Sequence, residues 1–435
     1  RLHAFWRQSE ATVNNVRISE SGTQPGTSIF YSFYEAERWS DPRPILAVRD
    51  GKAEQPSVTT DRAGNVYATW SGGVNGEVYF SRARLDRASS VSEWSDPVLL
   101  PAPNMVGASP TILRVGRGLH VAYAVPVNEN RGIYVTTSTD DGATWSPTVQ
   151  VYDAAANAQQ FVTAPRLAAT ANTVHVMWSM GTQPEGLGVQ SMAYARSSDE
   201  GVSWSLAELV AQEQVVWSRI EGIGDRNLHR VWLSINQDGR QKLPTRVGDT
   251  AVSLGPATLH VTGGSNPQLY ILQLVETNDG RLLLEEWRWV GDRWVAFDEL
   301  ELDETLLDAN LITAVTQPDG RLNVVYGTLL IDEENQQLFN VLGHTFRDVE
   351  QPEGRATPLP TLTPTPLVQP TSTPTPGPSP TPTLAFSNAS PDEGGVSLGP
   401  ISTNDATGGI LVGILPALLI IGFVLIIGIR VARTK

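Results

Sequence analysis

The chain of 435 residues has no cysteine, which excludes disulfides, thiolate nucleophiles, zinc ribbons and iron–sulfur clusters without fixing a compartment. Lysine is almost as scarce, with Lys52, Lys242 and Lys435 only, so nearly all the positive charge is arginine and no basic cluster forms. The net charge is −15 and the pI about 4.9, which argues against a nucleic-acid partner. No helical period of useful length precedes the C-terminal end, and only one long charge-free apolar run exists, Ile410 to Ile429.

That run is long enough for a helix to cross a bilayer core at about 1.5 Å per residue. Arg430, Arg433 and Lys435 follow it, whereas Asp392, Glu393 and Asp405 precede it. The charge bias predicts one transmembrane helix over 409–430, a cytoplasmic tail over 431–435 and everything before it outside the cell. Pro416 within the run is tolerable in a membrane helix. Of the 30 prolines, 11 lie between Pro352 and Pro382, and Thr357 to Thr383 alternates Pro with Thr. Such a segment favours extended polyproline II, so residues 351–408 read as a disordered stalk, with Asn388-Ala389-Ser390 fitting a glycosylation sequon. The opening run Arg1 to Trp6 already alternates like a strand, and an outside domain requires an export signal, so a segment is expected upstream.

Residues 1–350 repeat themselves. A strand ending in an aromatic recurs as Leu2 to Trp6, Val66 to Trp70, Leu119 to Tyr123, Val174 to Trp178 and Leu228 to Trp232, with weaker copies ending at Trp287 and Tyr326. Successive aromatics are 64, 53, 55, 54, 55 and 39 residues apart. Before these strands stands a small or polar residue followed by proline, as in Gln55-Pro56, Ser109-Pro110, Ala164-Pro165 and Asn266-Pro267. Turn signals such as 61–65, 278–280 and 318–320 lie between the two strands. Trp39-Ser40, Trp94-Ser95, Trp145-Ser146 and Trp204-Ser205 mark the approach to the last edge of a unit. Units of four short strands that cannot bury both faces alone must stack around an axis, which predicts an all-β propeller of seven blades, with six as the alternative. The first copy lacks an innermost strand and the last an outermost one.

Two copies carry a tighter pattern. Ser138-x-Asp140-x-Gly142-x-x-Trp145 and Ser197-x-Asp199-x-Gly201-x-x-Trp204 both read S-x-D-x-G-x-x-W. The carboxylate can accept amides in a tight turn, glycine permits positive φ and tryptophan packs between sheets. The motif resembles the Asp box of the sialidase-like, or bacterial neuraminidase repeat, propellers. That resemblance implies a structural role for these eight residues, away from any active site.

It also implies three arginines for a substrate carboxylate, a glutamate-activated tyrosine nucleophile and an aspartate acid/base. The family's Arg-Ile-Pro motif is echoed only by Val16-Arg17-Ile18-Ser19, and no aspartate lies between Trp6 and Asp41. Arg166, Arg219 and Glu221 fall on expected innermost strands and would face the channel. The expectation is therefore a cell-surface propeller that binds a glycan or extracellular protein without turnover; a tethered exo-acting sialidase-like hydrolase is the alternative. No cofactor or metal is expected: His3, His120, His175 and His229 share one repeat position, which the ring separates in space. Trp287, Trp289 and Trp294 fall outside the register and are expected to be exposed for stacking.

Overall fold

A computed structural model describes residues 1–9, 27–47, 52–73, 76–181, 191–223, 225–235, 241–244, 249–252, 256–262, 267–277, 281–302, 306–317, 321–332 and 337–348. The expected stalk, sequon, membrane helix and tail lie outside the described residues, as do the Arg17 segment and the turns at 278–280 and 318–320. Among the described residues no helix is long and apolar enough to cross a membrane. One compact unit holds all the described residues.

The described strands sort into seven antiparallel sheets, six of four strands and one of three. The first holds β1 (Leu2–Ser9), β2 (Thr27–Glu35), β3 (Arg38–Trp39) and β4 (Arg43–Leu46); the second, β5 (Ala53–Thr60), β6 (Asn65–Gly72), β7 (Glu77–Arg84) and β8 (Val98–Leu99). The third holds β9 (Ala108–Val115), β10 (Gly118–Val125), β11 (Gly132–Ser138) and β12 (Val149–Asp153); the fourth, β13 (Phe161–Thr170), β14 (Thr173–Gly181), β15 (Ser191–Ser197) and β16 (Glu208–Ala211). In the fifth are β17 (Gln214–Ile223), β18 (Asn227–Ile235), β19 (Gln241–Pro244) and β20 (Asp249–Val252), and in the sixth β21 (Ala257–Val261), β22 (Leu269–Glu276), β23 (Leu282–Val290) and β24 (Arg293–Glu301). The seventh has β25 (Leu306–Thr316), β26 (Arg321–Asp332) and β27 (Gln337–Asp348).

Both faces of a blade are buried, and this explains why the second strands read as almost unbroken apolar runs. On β10, Leu119, Val121, Tyr123 and Val125 join the core shared with the second sheet, while Ala122 and Ala124 join the core shared with the fourth. The strand's period of two thus feeds two different cores. Among the described residues one buried cluster fills each of the six gaps between successive sheets. The seventh sheet meets the first where His344 stands 4.6 Å from the Tyr34 ring and 5.4 Å from that of Trp39. Stacked sheets that return to their starting point make a propeller.

Hydrogen bonds identify equivalent strands. His3 Nδ1 lies 2.7 Å from the Tyr31 hydroxyl, as His175 Nδ1 lies 2.7 Å from that of Tyr194. Thus β1 matches β14, and the first sheet begins, among the described residues, at the second-strand position. The seventh stops at the third. The Trp-Ser mark has a common cause. Amides of Ser40, Ser95, Ser146 and Ser205 donate to the carbonyls of Phe33, Arg82, Thr137 and Arg196 at 2.8 to 2.9 Å. Their hydroxyls accept those four residues' amides at 3.0 to 3.1 Å. Each serine therefore clips the incoming chain to the third strand.

The sixth sheet corrects the reading of its repeat. Pro267 precedes β22, the second strand, not the first, and Trp287 stands on β23, the third. The aromatic spacing ran on because β23 ends in Trp-Arg-Trp, which mimics the second-strand ending. Trp294 is only 5% exposed, and Trp287 and Trp289 are half-buried against its cluster, so the three do not form the expected exposed stacking surface. Trp289 meets Trp294 edge-on at 5.2 Å across the β23–β24 hairpin.

Candidate functional site

The two S-x-D-x-G-x-x-W turns have the same geometry. The Ser138 hydroxyl donates to Asp140 Oδ1 at 2.8 Å and accepts the Gly142 amide at 2.8 Å. Asp140 also accepts the Thr144 amide at 2.9 Å and the Thr144 hydroxyl at 2.6 Å. Ser197, Asp199, Gly201 and Ser203 repeat the set at 2.7, 2.8, 2.9 and 2.5 Å. Gly142 and Gly201 have φ of 85° and 89°, where a side chain is strained. Hydroxyl and amide donors, led by Thr144 and Ser203, hold both carboxyls near 2. Trp145 packs on the cluster between the second and third sheets and Trp204 on the one between the third and fourth. All eight residues hold turns and seams.

The strands β5, β9, β13, β17, β21 and β25 come first in their sheets and touch from sheet to sheet, so they line the axis. Three carry a bulge at the proline signal. Gln55, Ser109 and Ala164 have φ of 52°, 50° and 50°, each just before proline, and the strand register slips there. Left-handed backbone at a non-glycine residue is strained, and a bulge re-aims the side chain that follows it. Those following side chains are Ser57, Thr111 and Arg166. A slip between Val215 and Trp217 likewise precedes Arg219 on β17.

Arg166 and Arg219 therefore reach the same level on neighbouring strands. Among the described residues each donates only to its own preceding carbonyl, Arg166 to Pro165 at 3.3 Å and Arg219 to Ser218 at 3.2 Å. Arg219 also lies over the Trp217 ring at 5.6 Å. Arg166 Nε is buried and has no hydrogen-bond partner among the described residues. Burial, and then the charge of Arg219, lowers Arg166 to about 10. Burial lowers Arg219 too, partly offset by Glu221. Glu221 keeps solvent access although protein crowds around it, as a channel-wall side chain does. Burial raises its carboxyl against the opposing pull of Arg219. Arg219 thus acts electrostatically on both Arg166 and Glu221, and the two guanidiniums and the carboxyl lie within reach of one another's charge. Such a guanidinium pair attracts an oxyanion. The six innermost strands bear no tyrosine, and their one aspartate is Asp308 on β25.

Sequence reading missed a second polar constellation between the second and third sheets. Arg114 Nη1 reaches Asp141 Oδ1 at 2.5 Å and the Tyr67 hydroxyl at 3.1 Å, and the Tyr67 hydroxyl donates to Asp61 at 2.9 Å. Its signal was there: Tyr67 occupies the repeat position held by histidine in other copies. Among the described residues no group of three or more His, Asp or Glu side chains is placed to hold a metal ion.

No family model matches the sequence, and no curated protein matches it. Solved structures do. The intramolecular trans-sialidase from Ruminococcus gnavus, in complex with oseltamivir carboxylate, aligns over 80% of this chain and 94% of its own at 12% identity, with a TM-score of 0.40. An α-L-arabinofuranosidase from Fusarium graminearum, in complex with an iminosugar inhibitor, aligns over 74% and 85% at 15% identity, TM-score 0.40. An endo-arabinanase from Bacillus licheniformis aligns over 67% and 92% at 10% identity, TM-score 0.35. These are likenesses of fold alone.

Proposed function

We propose that the chain is a membrane-anchored, extracellular propeller that holds an acidic group of a glycan or protein ligand in its channel without turning it over. The observation that carries this reading is the adjacent pair Arg166 and Arg219, both buried enough to lose basicity and neither given a carboxylate of its own apart from the flanking Glu221. A buried guanidinium without a partner is costly, and a bound carboxylate or sulfate supplies the missing acceptor. The lack of tyrosine on the six described innermost strands supports binding over hydrolysis by a tyrosine nucleophile. The apolar run at 410–429 and the Pro/Thr stalk support the anchored, outward-facing arrangement.

A tethered glycoside hydrolase of the sialidase type is the second reading, and Glu221 favours it: a carboxyl raised by burial beside two arginines can deliver a proton. The test is a panel of sialylated, uronic and neutral oligosaccharides against the full chain in detergent. Acidic members should bind, and Arg219→Ala should weaken them about tenfold or more. Hydrolysis of a fluorogenic sialoside at an enzyme-like rate, abolished by Glu221→Gln, selects the second reading. Equal binding of neutral and acidic sugars sinks the arginine site.

A further inference from the structure

The repeat allows one gap between blades to serve as a template for the next. Between the second and third sheets, the space beside Tyr67 is filled by Arg114. Its Nη1 meets Asp141 at 2.5 Å and Tyr67 at 3.1 Å, its Nε donates to the Gly116 carbonyl at 3.1 Å, and its head lies 5.3 Å over the Tyr67 ring.

The register gives the counterparts one gap further on. Arg114 pairs with Leu119 as Ala169 pairs with Val174, and Leu119 and Val174 stand at the same place in their strands. His120 takes the position of Tyr67, since each follows that place by one residue. Glu200 takes the position of Asp141 in its turn, with φ of 61° against 60°. The carboxylate and the ring position are thus retained, while the guanidinium between them is replaced by a methyl group.

Beside His120 and Glu200 lies a cavity of about 400 Å³ lined also by Arg117, Thr139, Asn172 and Val174, among others. His120 is 1% exposed: its Nδ1, which has no hydrogen-bond partner among the described residues, lies against Gly201, and its Nε2 lies beside Gly118 on the cavity lining. At the equivalent positions the Tyr67 hydroxyl and the ring nitrogens of His175 are all engaged. The tyrosine hydroxyl that serves His175 comes from Tyr194, and its counterpart beside His120 is Val135. Burial lowers His120 to about 4, so its imidazole is neutral near pH 7 and one ring nitrogen is an acceptor. The volume falls within the range of small-ligand sites, about 300–1,000 Å³.

We infer that this cavity binds a small guanidinium-bearing zwitterion of the arginine type, whose head sits between Glu200 and His120 as the head of Arg114 sits between Asp141 and Tyr67. Arg117, exposed on the same lining, meets the ligand's carboxylate. A planar cation with several donors suits a carboxylate and a neutral imidazole acceptor placed together, and its tail carries the opposite charge that Arg117 requires. The site is separate from Arg166 and Arg219, so its failure leaves the channel reading untouched.

The test is L-arginine added to the full chain at about millimolar concentration, read by thermal shift and calorimetry. Arginine should raise the melting temperature and citrulline, its neutral analogue, should not. Agmatine, which lacks the carboxylate, should bind about tenfold more weakly. Ala169→Arg should raise the melting temperature without ligand and remove the arginine response. Glu200→Gln alters an exposed side chain, should fold as the parent does and should weaken arginine about tenfold, so it decides the matter if Ala169→Arg does not fold. No response to arginine, an equal response to citrulline, or unaltered binding in Glu200→Gln overturns the site. Equal binding of agmatine overturns the role of Arg117.

Discussion

Gln55 reaches from the second sheet to the third: its side-chain carbonyl accepts the Ser109 amide at 2.8 Å and the Ser71 hydroxyl at 3.2 Å. Both Gln55 and Ser109 sit in left-handed bulges before proline, so one strained residue secures the next. Gln55→Leu keeps the bulk and removes the acceptor, which should cost about 1 kcal/mol in urea denaturation. Ala164 has the same backbone with no side chain to contribute such a bond. Ala164→Gly should therefore stabilise by up to about 1 kcal/mol, through relief of left-handed strain. A loss of stability at Ala164→Gly would show that the bulge is not strained.

Glycines at two turns should respond differently to the same change. At Gly142, φ is 85° and an added Cβ would lie 2.2 Å from Phe80, whose ring is 1% exposed. Gly142→Ala should cost more than about 2 kcal/mol, from strain and overpacking together. Gly116 has φ of 56° but open space beyond it. Gly116→Ala should cost only about 1 kcal/mol, and equal costs measured by chemical denaturation would refute the packing argument.

The blade repeat was legible because the second strands are buried on both faces and each ends in an aromatic, a pattern dictated by local packing. Trp-Ser was legible for a similar reason: the serine's partner is always the third strand of its own sheet. Partnerships across gaps were not. Whether His120 is satisfied depends on Val135 across the sheet and on Ala169 in the next blade, and no spacing along the chain reveals that. Trp294 misled for the same reason, since its burial comes from the fifth sheet's Val231 and Leu233. The placing of Arg166, Arg219 and Glu221 on innermost strands was legible because such a strand is itself a local pattern, whereas the mutual effect of the arginines needed coordinates.

Acid should weaken the fold in two stages. Burial lowers His3, His120 and His175 to about 4, below the ordinary value near 6.5. Their neutral forms favour the folded state, so this stability is whole above pH 6.5 and is lost as the pH falls toward 4. Asp61, Asp140 and Asp199 are lowered to about 2, the last two chiefly by hydroxyl and amide donors and Asp61 against an opposing burial effect. Their contribution is present above about 4 and disappears only toward pH 2. Melting temperatures should drop between pH 6.5 and 4 and again below 4. His175→Gln should flatten the first drop, and an unchanged profile would exclude that histidine as a source.

Removing Arg219 should change both of its neighbours. Its charge pulls the Glu221 carboxyl down and suppresses Arg166. In Arg219→Met the Glu221 carboxyl should titrate at higher pH than in the parent, as followed by carbon-detected NMR. A fall would place the two groups too far apart to share a ligand.

The serine clips at Ser40, Ser95, Ser146 and Ser205 give four successive blades the same fastening between the third strand and the chain that follows it. The fastening is internal to each blade, whereas the loops ahead of Ser95, Ser146 and Ser205 also carry Trp94, Trp145 and Trp204, which pack on the seams between blades. The exposed Ala36-Glu37 tip ahead of the Ser40 clip is accordingly the natural place to graft a foreign peptide, held at its base by a bond that the blade supplies from within.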